Sequence, residues 1–452
     1  MSRFQGSDTA KAAGLAGAMI ANNVIALGST VVFARLLKDN QGGGYGSLAA
    51  LVSYFLILSV VGYALQVATA REGVLGHLGV GPGLIATLKR WTRSMVVFTV
   101  AVTVLSVLLR NPIAQLLHVE GDQWAAAIGL PAGCLWLELS ILRGALQGVG
   151  DYKAVGISLV GEQSVRLVTG AALAAAGLGV TGAYLGTPLS FIAMGLYCTI
   201  YLRRYSAAYS AEAVTVASAP DAALSLWAHV KRAWAPIGGL IVIAVLQNID
   251  IIAAKHRFSS TNATSYAAVA VAAKVLIWVA IGAGFYLVPE VSRRRSEGED
   301  TRPVLLRTLG IILVCAMPCL LIFAFGSHPL ISAVYGAKKA SASSSLLPLG
   351  AAFTVLACTY LVIQYMLALK RTWFLIAMGV VAIAEPVLLL QASHKPASFA
   401  AVVLAIQAVA ALLAFAIALG RRDTKPPTTG GNPESERTAA VELEGIRLSE
   451  PA

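Results

Sequence analysis

The stretch GGLIVIAVLQNIDIIAAKHRF, residues 238–258, decides how the chain is read. Gly238 to Leu246 is apolar throughout, and a helix of about 20 such residues is long enough to cross the hydrocarbon of a bilayer. Near its far end come Gln247, Asn248 and Asp250, and then the basic block Lys255, His256 and Arg257. Asp250 lies roughly 10 Å along the helix axis from Arg257 at about 1.5 Å per residue. Lys255 and Arg257 have stems long enough to reach the interface, and Asp250 does not. It therefore needs a partner at its own depth. Lys274, ten residues into the returning helix, is the best candidate.

The rest of the sequence has the same character. Of its 452 residues, 57% are hydrophobic and 12% are charged, against about 25% charged in a soluble protein. Mean hydropathy is +0.75. That much apolar surface has no soluble core to enter, so the solvent is the bilayer. The first apolar run, Ala12 to Leu37, is too long for a cleavable signal. The five cysteines sit inside apolar runs and read as small core residues, not as disulfides or a metal site.

Apolar length predicts about twelve spanning helices: 12–37, 45–70, 91–109, 123–146, 154–177, 180–202, 233–257, 264–288, 304–326, 346–369, 373–392 and 398–419. With the N-terminus in the cytoplasm, about two thirds of the 34 Lys and Arg fall on the cytoplasmic side. This bias leads to the expectation of a cytoplasmic-membrane protein with both termini in the cytoplasm. It also accounts for the net charge of +12 without nucleic acid, because the basic loops face anionic lipid heads. The expected organisation is an N-lobe over 1–205, a cytoplasmic linker over 206–230, a C-lobe over 231–420 and a disordered cytoplasmic tail over 421–452. The tail, with PPTTGGNPESE, has no apolar period.

The two halves echo each other. Tyr45 opens the second helix in GGGYGSLAALVS, and Tyr266 opens the eighth in NATSYAAVAVAAK. Six helices is an even number, so the halves share one orientation and form parallel repeats. Three segments carry a resemblance: TVVFARLLKDNQGGGYGSLAALVSYFLILSVVGYALQVATARE over 30–72, ALQGVGDYKAVGISLVGEQSVRLVTG over 145–170, and LQNIDIIAAKHRFSSTNATSYAAVAVAAKVL from Leu246. They resemble the multidrug/oligosaccharidyl-lipid/polysaccharide exporter superfamily, and within it the polysaccharide-biosynthesis flippases. The resemblance implies an all-α integral membrane protein of two six-helix lobes forming a V with a central cavity. It also implies alternating access that moves lipid-linked saccharides or small cationic drugs.

A charge at the centre of a spanning helix costs about 2.5–3.5 kcal/mol, so such groups face a cavity or a partner. At this depth lie Arg143, Arg166, Lys274, Glu138, Glu162, Asp250 and Glu385. Asp250 and Lys274 either line the C-lobe cavity or lock two helices together. Glu162 and Arg166 are one turn apart. Arg166 offers a planar fork suited to a diphosphate, or the two simply neutralise each other. Glu138 and Arg143 are about 140° apart around their helix at 100° per residue. Arg143 is expected to snorkel towards lipid heads or to join the substrate site. Glu385, just before Pro386, is a candidate for coupling to H+ or Na+, as is Glu138. Pro131, Pro188, Pro236 and Pro318 are possible bends. No cofactor or metal is expected.

The leading function is a flippase for a lipid-linked oligosaccharide, with membrane lipids and other glycan-assembly proteins as partners. The alternatives are a cation-coupled multidrug exporter and a non-transporting scaffold. The first helix has Asn22 and Asn23 where the resemblance makes drug exporters carry an acid. The six histidines lie singly at helix ends, and the cytoplasmic segments hold no catalytic motif, so an enzyme is not expected.

Overall fold

The computed structural model describes residues 8–37, 44–74, 76–212, 234–369 and 371–420. Among them the elements are α1 (Asp8–Leu36), α2 (Gly44–Val74), α3 (Pro82–Leu108), α4 (Arg110–Leu117), α5 (Gln123–Gly148), α6 (Tyr152–Leu173) and α7 (Gly179–Glu212). There follow α8 (Trp234–Arg257), α9 (Ser260–Ala273), α10 (Val275–Ser296), α11 (Arg302–Tyr335), α12 (Leu346–Ala368), α13 (Phe374–Gln391) and α14 (Pro396–Gly420). Short 3₁₀ turns cover Glu120–Asp122 and Ala337–Ser345. No strand occurs among the described residues. Lipid offers the backbone no hydrogen bonds, so a spanning chain that is not a closed barrel satisfies them inside helices.

Among the described residues, ten stretches are long and apolar enough to cross a membrane. One of them, Tyr152–Ala207, is a hairpin of α6 and α7 folded at Gly177 and Gly179. Both glycines have positive φ, 101° and 54°, where a side chain would strain the turn. With that hairpin counted as two, and α9 with α10 as one broken crossing, the count agrees with the roughly twelve spans expected. Side chains such as Val97, Phe325 and Ile383 stay exposed on the outer faces, where lipid covers them.

The helices sort into two bundles. In the first, α2 packs on α5, α5 on α3 and α7, and α6 on α1 and α7. In the second, α12 packs on α10, α11 and α14, and α8 packs on α13. Small residues let these helices approach closely. A Cβ on Gly144 would lie 2.5 Å from the Gln66 carbonyl oxygen, and one on Gly186 2.9 Å from the Gly170 Cα.

Between the bundles, α2 runs along α8 and touches α9, while α1 meets α11 and α4 meets α8. The polar and ring contacts across this seam cluster at one end of the helices, the end the charge bias assigns outward. Arg35 Nη2 donates to the Ala333 carbonyl at 2.7 Å, Lys339 donates to the Ala34 carbonyl, and the Tyr45 and Tyr335 rings lie 6.3 Å apart. At the opposite end, two arginines bond to carbonyls within the second bundle. Arg371 donates to Ala418 O at 3.1 Å, and Arg295 to Leu369 O. Guanidinium groups at helix C-termini also complement the helix dipole.

Several boundaries differ from expectation. The third helix starts at Pro82, nine residues earlier than its apolar run, because a proline is well placed in a first turn. The eighth crossing is broken at Lys274. α11 extends to Tyr335 through a non-helical Gly326, three residues before Pro329. α4 is an additional short helix that spanning length alone could not reveal. α7 is helical to Glu212, so the start of the expected 206–230 linker is helix. The rest of that linker and the 421–452 tail lie outside the described residues.

Candidate functional site

In the first bundle, α5 and α6 bring Arg143, Glu162 and Arg166 into one cluster. Arg143 is fully buried. Its Nε donates to Ser158 Oγ and its Nη2 to the Ser158 carbonyl, both at 2.8 Å. Its Nη1 lies 2.9 Å from Glu162 Oε2, an ion pair in which the N–H is poorly directed for a hydrogen bond. Arg166 Nη2 donates to the other carboxylate oxygen, Oε1, at 2.8 Å. One Glu162 carboxylate thus holds two guanidinium groups, and the trio carries a net positive charge.

Aromatic rings frame it. The Arg143 guanidinium lies 5.6 Å from the Trp136 ring and that of Arg166 5.5 Å from Phe191. Tyr63, half exposed, packs edge-on against Trp136 at 5.1 Å. Trp136 is fixed by its own bond to the Ser59 carbonyl, 2.7 Å. The side chain of Arg166 is 19% exposed, and its Nε has no hydrogen-bond partner. Arg143 does not snorkel: Ser158, Glu162 and Trp136 hold it inside the bundle.

In the second bundle the expected partnership between Asp250 and Lys274 is present. Lys274 Nζ lies 3.3 Å from Asp250 Oδ1 and 3.5 Å from Asn248 Oδ1. Tyr266 donates to Asp250 Oδ2 at 3.2 Å. Asp250 is 1% exposed and Lys274 7%. Lys274 reaches this site because α9 stops at Ala273 and α10 begins at Val275, which puts it on the break. Beside them, Gln407 of α14 donates to Glu385 Oε1 at 3.2 Å and to the Leu246 carbonyl at 2.9 Å. Glu385 is fully buried, and its Oε2 has no hydrogen-bond partner.

Glu138 stands apart from both clusters. It accepts from Thr92 on α3 at 2.5 Å, on a face of α5 different from the one where Arg143 meets α6. Lys255 was expected to extend outward and is instead buried. Arg257 turns to the Ala392 carbonyl, 3.1 Å from its Nε. Two histidines are not single: the His118 and His256 rings lie 4.9 Å apart. Among the described residues no group of three His, Cys, Asp or Glu is placed to hold a metal.

No family model matches the chain, and no curated protein sequence matches it. Solved structures do. An inward-facing multidrug resistance MATE family transporter of the MOP superfamily superposes with a TM-score of 0.66 at 13% identity, covering 88% of this chain and 93% of that one. The lipid II flippase MurJ in an inward closed conformation gives 0.67 at 14% identity, covering 89% and 86%. The chain has the fold of the MOP exporters. A eukaryotic MATE transporter, at 0.60 and 14% identity over 92% of this chain and 96% of that one, shares it too. The MOP fold places the two charge clusters in separate lobes: Arg143, Glu162 and Arg166 in the first, Asp250, Lys274 and Glu385 in the second. Counting acids and bases over the whole chain, as the sequence invites, hides this division.

Proposed function

We propose that the chain is a MOP-superfamily flippase that moves a lipid-linked oligosaccharide across the cytoplasmic membrane by alternating access, with both termini in the cytoplasm. One observation carries this reading. The first lobe holds two arginines on a single carboxylate, and the side chain of the outer arginine, Arg166, is 19% exposed while that of Arg143 is fully buried. A planar guanidinium suits a diphosphate oxygen better than a point charge does. Arg143 is the positioning residue: it occupies one side of Glu162 and so limits how far Glu162 neutralises Arg166. Tyr63, half exposed, gives the sugar or prenyl portion an apolar face.

Glu385 is the coupling residue of this reading. A buried carboxylate oxygen without a partner is a place that a proton, or a small cation such as Na+, satisfies. Asp250 and Lys274 neutralise each other and leave Glu385 as the exchangeable charge.

The competing reading is a cation-coupled multidrug exporter. It is favoured by two carboxylates against one amine in the second lobe and by the MATE proteins among the structural neighbours. The experiment uses purified protein in liposomes with a fluorescent polyprenyl diphosphate saccharide and a membrane-impermeant quencher. Protein-dependent growth of the quenchable fraction in the far leaflet supports the flippase. No growth, together with uptake of a cationic dye in the same liposomes, replaces it with the exporter.

A further inference from the structure

The outward end of the seam carries a feature that lies apart from both charge clusters. His118 ends α4 in the left-handed region, at φ 52° and ψ 46°. It is the one non-glycine residue with positive φ among the described residues. Glycine or asparagine ordinarily fills this position, and other residues adopt it at a cost of about 1–2 kcal/mol. Such strain is a reason to look for function nearby. Across the seam, on α8, His256 Nε2 donates to the Leu116 carbonyl at 2.7 Å, and its ring sits 4.9 Å from that of His118. Both rings are exposed. The bond requires His256 to carry its proton on Nε2, a tautomer that leaves Nδ1 open to a second proton.

The charged surroundings are mixed. The 3₁₀ turn after α4 supplies Glu120 and Asp122, and α8 supplies Lys255. Arg110, at the far end of α4, lies over Trp124, 4.9 Å from its ring. Arg257 is turned to Ala392 and His394.

We propose that His118 and His256 form a proton-binding site on the seam between the lobes, and that filling it from the outer side parts them. Two imidazolium rings 4.9 Å apart beside Lys255 repel, and the charge sits on opposite lobes. Partial desolvation, then His256 and Lys255, already hold the His118 pKa below the ordinary histidine value, against the opposing pull of Glu120. The closed seam therefore binds protons less well than a parted one. Closure is favoured above the ordinary histidine range and is lost as pH falls through it. The site rests on the alternating-access reading, because parting the seam has meaning only if the lobes move.

The test measures distances by pulsed electron resonance on the full chain in lipid nanodiscs. Spin labels are placed at Gln123→Cys and Ser260→Cys, with the five native cysteines replaced. Between pH 8 and pH 5 the ratio of parted to closed populations should rise about tenfold for each unit of pKa difference between the states. His118→Asn fits the left-handed backbone, and His256→Gln keeps a donor for Leu116. Together they should abolish the rise. A seam that parts equally in the double variant overturns the histidine site. A seam that stays shut at pH 5 also overturns it, provided Arg35→Ala with Lys339→Ala parts it at neutral pH; that pattern leaves alternating access standing. If neither acid nor the Arg35 and Lys339 substitutions part it, both readings fail.

Discussion

Replacing Lys274 by Met removes the only ammonium beside Asp250 among the described contacts and keeps the stem that packs over Phe353, whose ring lies 5.3 Å from Nζ. The lost attraction follows from the 3.3 Å separation. At an effective dielectric of about 20, unit charges at that distance attract by about 5 kcal/mol. Removing one partner of a buried pair costs about 3–5 kcal/mol, because the other is left without its counter-charge. Tyr266 and Asn248 remain, so the lower half of that range is expected. For a lobe of this size the loss corresponds to roughly 6–16 °C in melting temperature. The assay is thermal unfolding in detergent followed by size exclusion. Asp250→Asn combined with Lys274→Met should recover most of the loss, since a neutral pair of similar volume no longer carries a lone charge. A single-variant loss below about 1 kcal/mol, or a double variant whose losses simply add, would refute the argument that the pair locks α8 to the α9–α10 break.

Gly144→Ala should destabilise the first lobe by about 1–3 kcal/mol, because its Cβ would crowd the Gln66 carbonyl and the Thr69 side chain; the same thermal assay reads it. Arg166→Lys keeps the charge and loses the planar fork, so flipping in liposomes should fall by about tenfold or more with little change in melting temperature. Glu385→Gln preserves the bond from Gln407 to Oε1, so the fold should survive while the pH or sodium dependence of transport flattens. Acid response at the outward seam is predicted above through His118 and His256.

The sequence made some of this legible through depth and length alone. Asp250 is too short to reach water from its place in the helix, so a partner had to exist, and Lys274 lay at a matching depth. Glu162 and Arg166 are visible as a pair because one helical turn separates them. Arg143 illustrates the opposite case. Its partners, Ser158 and Glu162, belong to the next helix, and no periodicity within α5 reveals which way a long side chain turns. Snorkelling is the favourable outcome for a lone arginine near an interface, and a tertiary site with two hydrogen bonds and an ion pair competes with it here. The same holds for Lys255, which is drawn inside the seam, and for His118 and His256, which are far apart in the chain and meet only because the lobes close. The helix break at Lys274 has no Pro or Gly at that residue, so the usual sequence signal for a helix end is missing there.

The central claim is that the cationic cluster of the first lobe exists to hold a lipid-borne anion. Mass spectrometry of lipids that copurify with the chain tests it most directly, with wild type and Arg166→Gln prepared side by side. The account predicts a polyprenyl diphosphate saccharide in the wild-type extract, depleted in the variant. Bulk phospholipid alone in both extracts would contradict it.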